Sequence, residues 1–82
     1  MADFSLKTKF SIDGESYLLS TVKLHWCCKP SYETMLFKFD RRNEVNYKDL
    51  YCQKYHTQQE AEAGHKELLL RVEHGERFWE ND

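Results

Sequence analysis

The sequence predicts an α+β fold: a small antiparallel sheet of three to four strands, with one C-terminal helix packed on one face. Alternating apolar residues flank an Asp-Gly pair, which is typical of a β-hairpin. A helix-capping sequence precedes apolar residues at helical spacing. The 82 residues suffice for a single domain, residues 1–82. Its predicted segments are a hairpin with a third strand (4–39), a loop (40–49), a fourth strand (50–56), a helix (57–74) and a tail (75–82).

The hairpin register depends on the length of its turn. The segment FSLKTKFSI alternates apolar and polar residues, and Asp13 with Gly14 marks the turn. A two-residue turn would set Phe10 opposite Tyr17. A three-residue loop with a bulge would instead place the even-numbered apolar residues of both strands on one face. We favour the bulged loop, which leaves Tyr17 and Leu19 on the outer face.

The third strand is predicted over residues 32–39, after a connection marked by Pro30. Proline cannot donate a hydrogen bond to a strand ladder. Within the strand, Met35, Phe37 and Phe39 alternate with their neighbours. This alternation predicts that one side of the strand is buried and that the other is partly buried.

The helix is predicted from a capping box, in which the Thr57 hydroxyl accepts from the Glu60 amide and the Glu60 side chain reaches back. Its apolar face consists of residues at helical spacing: Ala61, Gly64, His65, Leu68 and Val72. Gly64 costs about 1 kcal/mol relative to alanine inside a helix, so its place on this face indicates close approach to the sheet. Gly75 marks the helix end.

Charge and composition exclude several functional classes. Twelve basic and 14 acidic residues give a net charge of −2, which argues against direct nucleic-acid binding and against anionic membranes. No apolar run reaches the roughly 18 residues of a membrane span, and the N-terminus lacks the apolar stretch of a signal peptide. We therefore expect a cytoplasmic protein with reduced thiols, and the three cysteines do not suggest a disulfide framework.

Two blocks, YETMLF at residues 32–37 and YHTQQEAEAGHKELL at residues 55–69, resemble a group of short proteins encoded by bacteriophages and prophages. That group shows a Tyr-Glu-Thr-Met-apolar-Phe strand, then a Tyr-x-Thr-x-x-Glu-Ala helix start with a Gly-His pair. The matching positions are Tyr32, Glu33, Thr34, Met35, Phe37, Tyr55, Thr57, Glu60, Ala61, Gly64 and His65.

The resemblance covers about half of the chain and carries over no catalytic residues. It implies a phage context, in which small accessory proteins bind and inhibit host factors, including CRISPR-type defence complexes. We therefore expect a non-enzymatic binding protein, without a cofactor, that acts on a host protein or protein complex in the bacterial cytoplasm. Homodimer formation is left open, with the sheet edges and the tail as natural contact surfaces.

Two groups of side chains are partner-binding candidates. The first is a basic and aromatic group in and near the 40–49 loop: Arg41, Arg42, Tyr47 and Tyr51. It would suit an anionic small ligand or nucleotide, although nearby acidic residues also fit a solvated loop. The second is the tail group: Arg77, Phe78 and Trp79. Its aromatics either fold back on the sheet, which we favour for so small a core, or form an interface hot spot.

Metal and thiol chemistry has weak support. The metal-ligand candidates are Cys27, Cys28, Cys52 and His56. Strand alternation sends the two adjacent cysteines to opposite faces, and the two-residue spacing typical of zinc sites is absent. We therefore predict neither a metal site nor a cysteine nucleophile, and a metal-supported enzyme is a distant alternative. We interpret His65 as a structural histidine at the edge of the core rather than as a metal ligand or a catalytic base.

Overall fold

The computed structural model describes residues 4–26 and 29–80. In these ranges four antiparallel strands form one sheet in the order β1-β2-β3-β4, and one helix lies across one face. The elements are β1 (Ser5–Ile12), β2 (Glu15–Trp26), β3 (Lys29–Phe39), β4 (Val45–Tyr55) and α1 (Gln58–Glu73). The predicted α+β class is confirmed.

The hairpin has the two-residue turn, and the bulged loop that we favoured is wrong. Phe10 pairs with Tyr17, so Asp13 and Gly14 alone form the turn. Both have positive φ, 51° and 81° respectively, as the favoured two-residue hairpin turns with matching twist require. The register was misjudged because β2 carries apolar residues on both faces.

This register decides which side of β2 meets the helix. The even-numbered residues of β1 share a face with the odd-numbered residues of β2, and that face carries α1. Tyr17 and Leu19, expected on the outer face, are therefore buried in the core. The core cluster consists of Tyr17, Leu19, Leu36, Leu68 and Phe78.

The same register reverses the two sides predicted for β3. Thr34 and Leu36 are fully buried under the helix, whereas Met35 and Phe39 are half-buried on the opposite face. The strand also begins earlier than predicted, because Pro30 pairs with His25 inside the ladder and does not lie in the connection.

The fourth strand is longer than predicted. It begins at Val45, inside the segment predicted as the 40–49 loop, and ends at Tyr55, one residue before the predicted end of the 50–56 strand. Most side chains of this edge strand are exposed, so they show none of the alternation that marks a half-buried strand.

A bulge interrupts the β3–β4 ladder and further obscures the alternation of side chains along β4. Lys38 pairs with Asn46, whereas Leu36 pairs with Tyr51. The intervening part of β4 is therefore longer than the part of β3 that it faces, which is the geometry of a β-bulge.

The helix confirms its predicted cap. The Thr57 hydroxyl accepts from the Glu60 N–H at 3.1 Å, and the Glu60 carboxylate accepts from the Thr57 N–H at 3.2 Å. Gly75, with φ of 82°, follows the helix end. Gly64 approaches β4 so closely that a Cβ atom would collide with the Tyr55 ring and hydroxyl. Among the described residues, no helix is long and apolar enough to cross a membrane.

Candidate functional site

The sheet face opposite α1 is apolar over much of its area. We call it the outer face. Strand alternation places on it the even-numbered residues of β2 and the odd-numbered residues of β3. Its apolar members, named here the outer patch, are Leu18, Val22, Leu24, Met35, Phe37, Phe39, Val45, Tyr47 and Leu50.

The outer patch is only partly shielded from water. Tyr47 is 76% exposed and Leu50 is 40% exposed. Phe37 is buried because the Tyr47 ring packs edge-on against it, with the centroids 5.3 Å apart. The helix of the described chain lies on the other face, so this patch is open to a partner. Contiguous exposed apolar surface of this kind marks interaction sites.

A basic border runs along the β1 side of the outer face. Lys7 and Lys9 belong to it by alternation. The Lys9 ammonium lies 4.5 Å from the centroid of Phe39 and 3.4 Å from the Oδ1 atom of Asn43. The lysine stem therefore extends over β2 toward β3 and covers part of the patch.

The opposite side of the outer face, around Cys52 on β4, carries both acidic and basic side chains. Burial raises the pKa of the Cys52 thiol, and the nearby carboxylates of Glu33 and Asp49 raise it further. The positive charge of Lys54, which pairs with Glu33 across the β3–β4 ladder, favours the thiolate and lowers the pKa of Cys52. The thiol stays protonated at neutral pH, which is the unreactive form.

The structure separates the four residues of the first candidate group. Arg41 and Arg42 are exposed in the turn after β3, where the Asp40 carboxylate accepts from the Arg42 N–H at 2.9 Å. Tyr47 lies on the outer face, and Tyr51 lies on the helix face, edge-on to the Phe78 ring. They do not form one ligand site.

Arg41 does line a shallow cleft at this end of the sheet. The cleft has a volume of about 620 Å³ and is bordered by Gly14, Glu15, Ser16, Lys38, Phe39, Asp40, Arg41, Asn43 and Asn46. The Lys38 ammonium lies 2.9 Å from the Glu15 carboxylate, so its charge is balanced within the site. With Asp40 also present, positive charge does not dominate the cleft.

The tail folds back onto the sheet, as we favoured. Phe78 is 4% exposed and belongs to the core cluster, and the Trp79 ring lies 4.9 Å from the Tyr17 ring. The Arg77 guanidinium binds the Asp13 carboxylate at 2.6 Å, which holds the tail against the hairpin turn. The aromatic pair therefore adds area to the core, and Phe78 is not open to a partner.

A buried hydroxyl network joins the helix to three strands. The Nδ1 atom of His65 lies 2.7 Å from the Thr21 hydroxyl, and its Nε2 atom lies 3.0 Å from the Thr8 hydroxyl. The Thr21 hydroxyl lies 2.6 Å from that of Thr34. Burial lowers the pKa of His65, so the ring is neutral at pH 7.

This geometry makes His65 a structural residue. A neutral imidazole donates from one nitrogen and accepts at the other, so hydroxyl partners satisfy both atoms. The histidine expected at the core edge is in fact buried, and both of its ring nitrogens lie beside threonine hydroxyls. Its threonine partners were missed by the sequence reasoning, although their alignment on inner positions of three strands follows from the observed register.

The metal-ligand candidates are not brought together in the described part of the chain. Cys52 and His56 are both exposed. Cys27 and Cys28 lie outside the described residues. Within residues 4–26 and 29–80, no group of three or more His, Cys, Asp or Glu side chains is placed to hold a metal ion.

The outer patch is the surface that sequence reasoning missed. The signal was present in β2, where Leu18, Val22 and Leu24 alternate with the apolar residues Tyr17 and Leu19. A strand that is apolar on both sides predicts a sheet covered on both faces. One helix can cover only one of them.

Comparisons of the chain with protein-family models, with curated proteins and with solved structures found no match.

Proposed function

We propose that the protein is a non-enzymatic binding protein of phage type, which inhibits or modulates a host protein by covering it with the outer face. The observation that supports this proposal is the outer patch, which makes the sheet face opposite the helix apolar. Binding a partner there removes apolar area from water, which stabilises a complex by about 25 cal/mol per Å² of apolar surface before the costs of association.

Residue types in the patch support a protein partner over a small ligand. Tyr47 is a rigid, exposed aromatic side chain, and tyrosine is enriched among the residues that dominate binding energy. Leu18 and Phe37 pair across β2 and β3 on the same face. An apolar sheet face without an enclosed pocket among its described residues fits another protein, whereas small molecules occupy enclosed pockets.

The resemblance to phage proteins supports a host factor as the partner, and our specific candidate is a CRISPR-type nuclease complex. Such a partner places the action of the protein in the bacterial cytoplasm.

Affinity capture of host proteins, compared between variants, tests this function. Tagged protein is incubated with bacterial host lysate, and the retained proteins are identified by mass spectrometry. Leu50→Ser on the outer face should reduce capture of the specific partner about tenfold. Leu70→Ser is the matched control, because Leu70 is 54% exposed on the helix. Equal capture by both variants, or no partner with the unchanged protein, would contradict the proposal.

A small-ligand or nucleotide site at the Arg41/Arg42 turn is the second candidate function. The cleft of about 620 Å³ beside Arg41 favours it. Replacement of both arginines by glutamate should abolish nucleotide binding in calorimetry, whereas Tyr47→Ala should leave it unchanged. If Tyr47→Ala loses capture of a host protein while the double arginine variant retains it, the outer face is favoured over the turn as the functional site.

A further inference from the structure

β4 forms one edge of the sheet, and within residues 4–26 and 29–80 no strand lies beside it on its outer side. An edge strand directs the N–H and C=O groups of alternate residues away from the sheet, where another extended chain can pair with them. The edge of β4 is therefore a position at which a further strand can be added.

The hydrogen bonds of the sheet identify which residues of β4 point outward. The Lys23 N–H donates to the Phe4 carbonyl at 3.3 Å, so the odd-numbered residues of β2 bond to β1 and its even-numbered residues bond to β3. The same alternation continues through β3, so the odd-numbered residues within 51–55 bond to β3. The backbone groups of Cys52 and Lys54 therefore point away from the sheet.

A side chain already occupies part of this edge. The Lys54 carbonyl accepts from the Nε2 atom of Gln53 at 3.1 Å, and both residues are exposed. This contact agrees with the alternation, because a carbonyl directed into the ladder would accept from a backbone N–H of β3. The Gln53 amide supplies the donor that a neighbouring strand would otherwise supply, so an incoming N–H can replace it.

A groove of about 400 Å³ lies between this edge and α1. The side chains of Tyr51, Gln53 and Tyr55 form its strand wall, and Ala63 and Glu67 belong to its helix wall. Successive side chains of a strand point to opposite faces of the sheet. Every second side chain of a strand added to β4 would therefore enter this groove.

The groove has a net negative charge. Its acidic side chains are Glu60 and Glu67, and Glu67 makes no ion pair within the described part of the chain. Arg71 is the only basic side chain that the described residues contribute to the groove. Its guanidinium donates two hydrogen bonds of 2.8 Å to the Glu76 carboxylate, so its charge is already balanced.

We propose that an extended segment of a partner protein adds to β4 as a fifth, antiparallel strand and inserts a lysine or arginine side chain into the groove. The backbone of the segment bonds to Cys52 and Lys54 and displaces the Gln53 amide. The apolar stem of the basic side chain lies along Ala63, and its charged head pairs with Glu67.

The exposed groups of the site select this occupant. The outward N–H and C=O groups of Cys52 and Lys54 recur every second residue, a spacing that another extended backbone matches. An acidic segment would meet the carboxylates of Glu60 and Glu67, and such like-charge contacts disfavour association. Antiparallel addition continues the pattern of the whole sheet, and antiparallel ladders are slightly more stable per residue than parallel ones.

This site is separate from the outer patch of the proposed function. The groove lies on the helix side of the sheet, whereas the outer patch lies on the opposite face. Tyr47→Ala, which alters the outer patch, should therefore leave binding of a segment at the β4 edge unchanged. The failure of either proposal can thus be recognised without reference to the other.

Peptide selection on the immobilised full chain tests the segment. A display library of random eight-residue peptides should yield binders that carry a lysine or arginine. In fluorescence anisotropy, Glu67→Lys should weaken their binding at least about tenfold through like-charge repulsion. Glu73→Lys makes the same charge change at an exposed helix position outside the groove and should leave binding unchanged. A library that yields no basic binder, or equal binding by both variants, would overturn the inference.

Amide hydrogen exchange, followed by NMR, distinguishes strand addition from simple attraction of a basic peptide. Exchange of the Cys52 and Lys54 amides should slow at least about tenfold when the peptide binds, because both become donors to its backbone. The Lys7 and Lys9 amides point outward from β1 by the same alternation and should exchange as before. Unchanged exchange at Cys52 and Lys54 would reject the added strand.

Backbone N-methylation of the selected peptide tests the strand direction. In an antiparallel pair, the peptide residues opposite Cys52 and Lys54 are the neighbours of the basic residue, because paired side chains share a face. Methylation of the neighbouring nitrogens should abolish binding, whereas methylation of the nitrogen of the basic residue should be tolerated. The reverse pattern would show a parallel strand and contradict the proposed arrangement.

Discussion

The Nδ1 atom of His65 lies 2.7 Å from the Oγ1 atom of Thr21, and both side chains are buried between the helix and the sheet. This contact fixes the rotation of α1 over the central strands. Because an unsatisfied buried polar group costs free energy, the network also specifies one arrangement of the helix.

The free energy of unfolding should fall with acidification because of His65. Burial lowers the pKa of its ring below the ordinary value of about 6.5. The unfolded chain therefore binds the proton more readily, so this contribution is complete above that ordinary value and is lost as the pH falls toward the folded pKa. Urea unfolding at pH 8, 7, 6 and 5 measures the slope.

The variant that tests this prediction is His65→Gln, because glutamine does not titrate at this position. Its unfolding free energy should depend less on pH than that of the unchanged protein over the same range. His74→Gln is the control, because His74 is exposed at the helix end. Equal slopes for His65→Gln and the unchanged protein would contradict the assignment.

Thr21→Val should destabilise the fold by about 1–3 kcal/mol. Valine has a similar shape, but it leaves an imidazole nitrogen without its buried hydroxyl partner and removes one hydrogen-bond partner of the Thr34 hydroxyl. Ser11→Ala removes an exposed hydroxyl 3.2 Å from that of Ser16 and should change stability by less than about 0.5 kcal/mol. Urea titration distinguishes the two, and equal effects would argue against the network.

Gly64→Ala should destabilise the protein although alanine favours helix. The added methyl collides with Tyr55, and relieving such an overlap costs about 1–3 kcal/mol. In a Tyr55→Ala background the same substitution should instead stabilise, by up to about 1 kcal/mol, because only helix propensity remains. Thermal unfolding of the four proteins measures the change of sign, and its absence would exclude the close approach.

Phe78→Ala should cost about 3–5 kcal/mol, which leaves little of the stability of a small domain. Arg77→Ala removes partly exposed ion pairs with Asp13 and Glu80 and should destabilise the fold much less than Phe78→Ala, because water screens exposed ion pairs. Circular dichroism melts compare the two. A fully folded Phe78→Ala protein would show that the tail is not part of the core.

Local signals in the sequence were sufficient for the helix and for the position of the hairpin turn, although not for its length. Thr57 and Glu60 form their capping box from adjacent backbone, and Asp13 with Gly14 adopts positive φ within the turn itself. Both depend on contacts a few residues apart, so the sequence by itself determined them, together with the α+β class.

Only the tertiary structure decided which side of β2 is inside. Leu18 and Leu19 are equally apolar, and their order in the chain does not say which one meets the helix. The two-residue turn and the pairing with β3 settle it, because a one-residue change of register moves every side chain to the opposite face. The polar, bulged β4 and the buried Phe78 likewise depend on contacts between distant residues, which local periodicity does not encode.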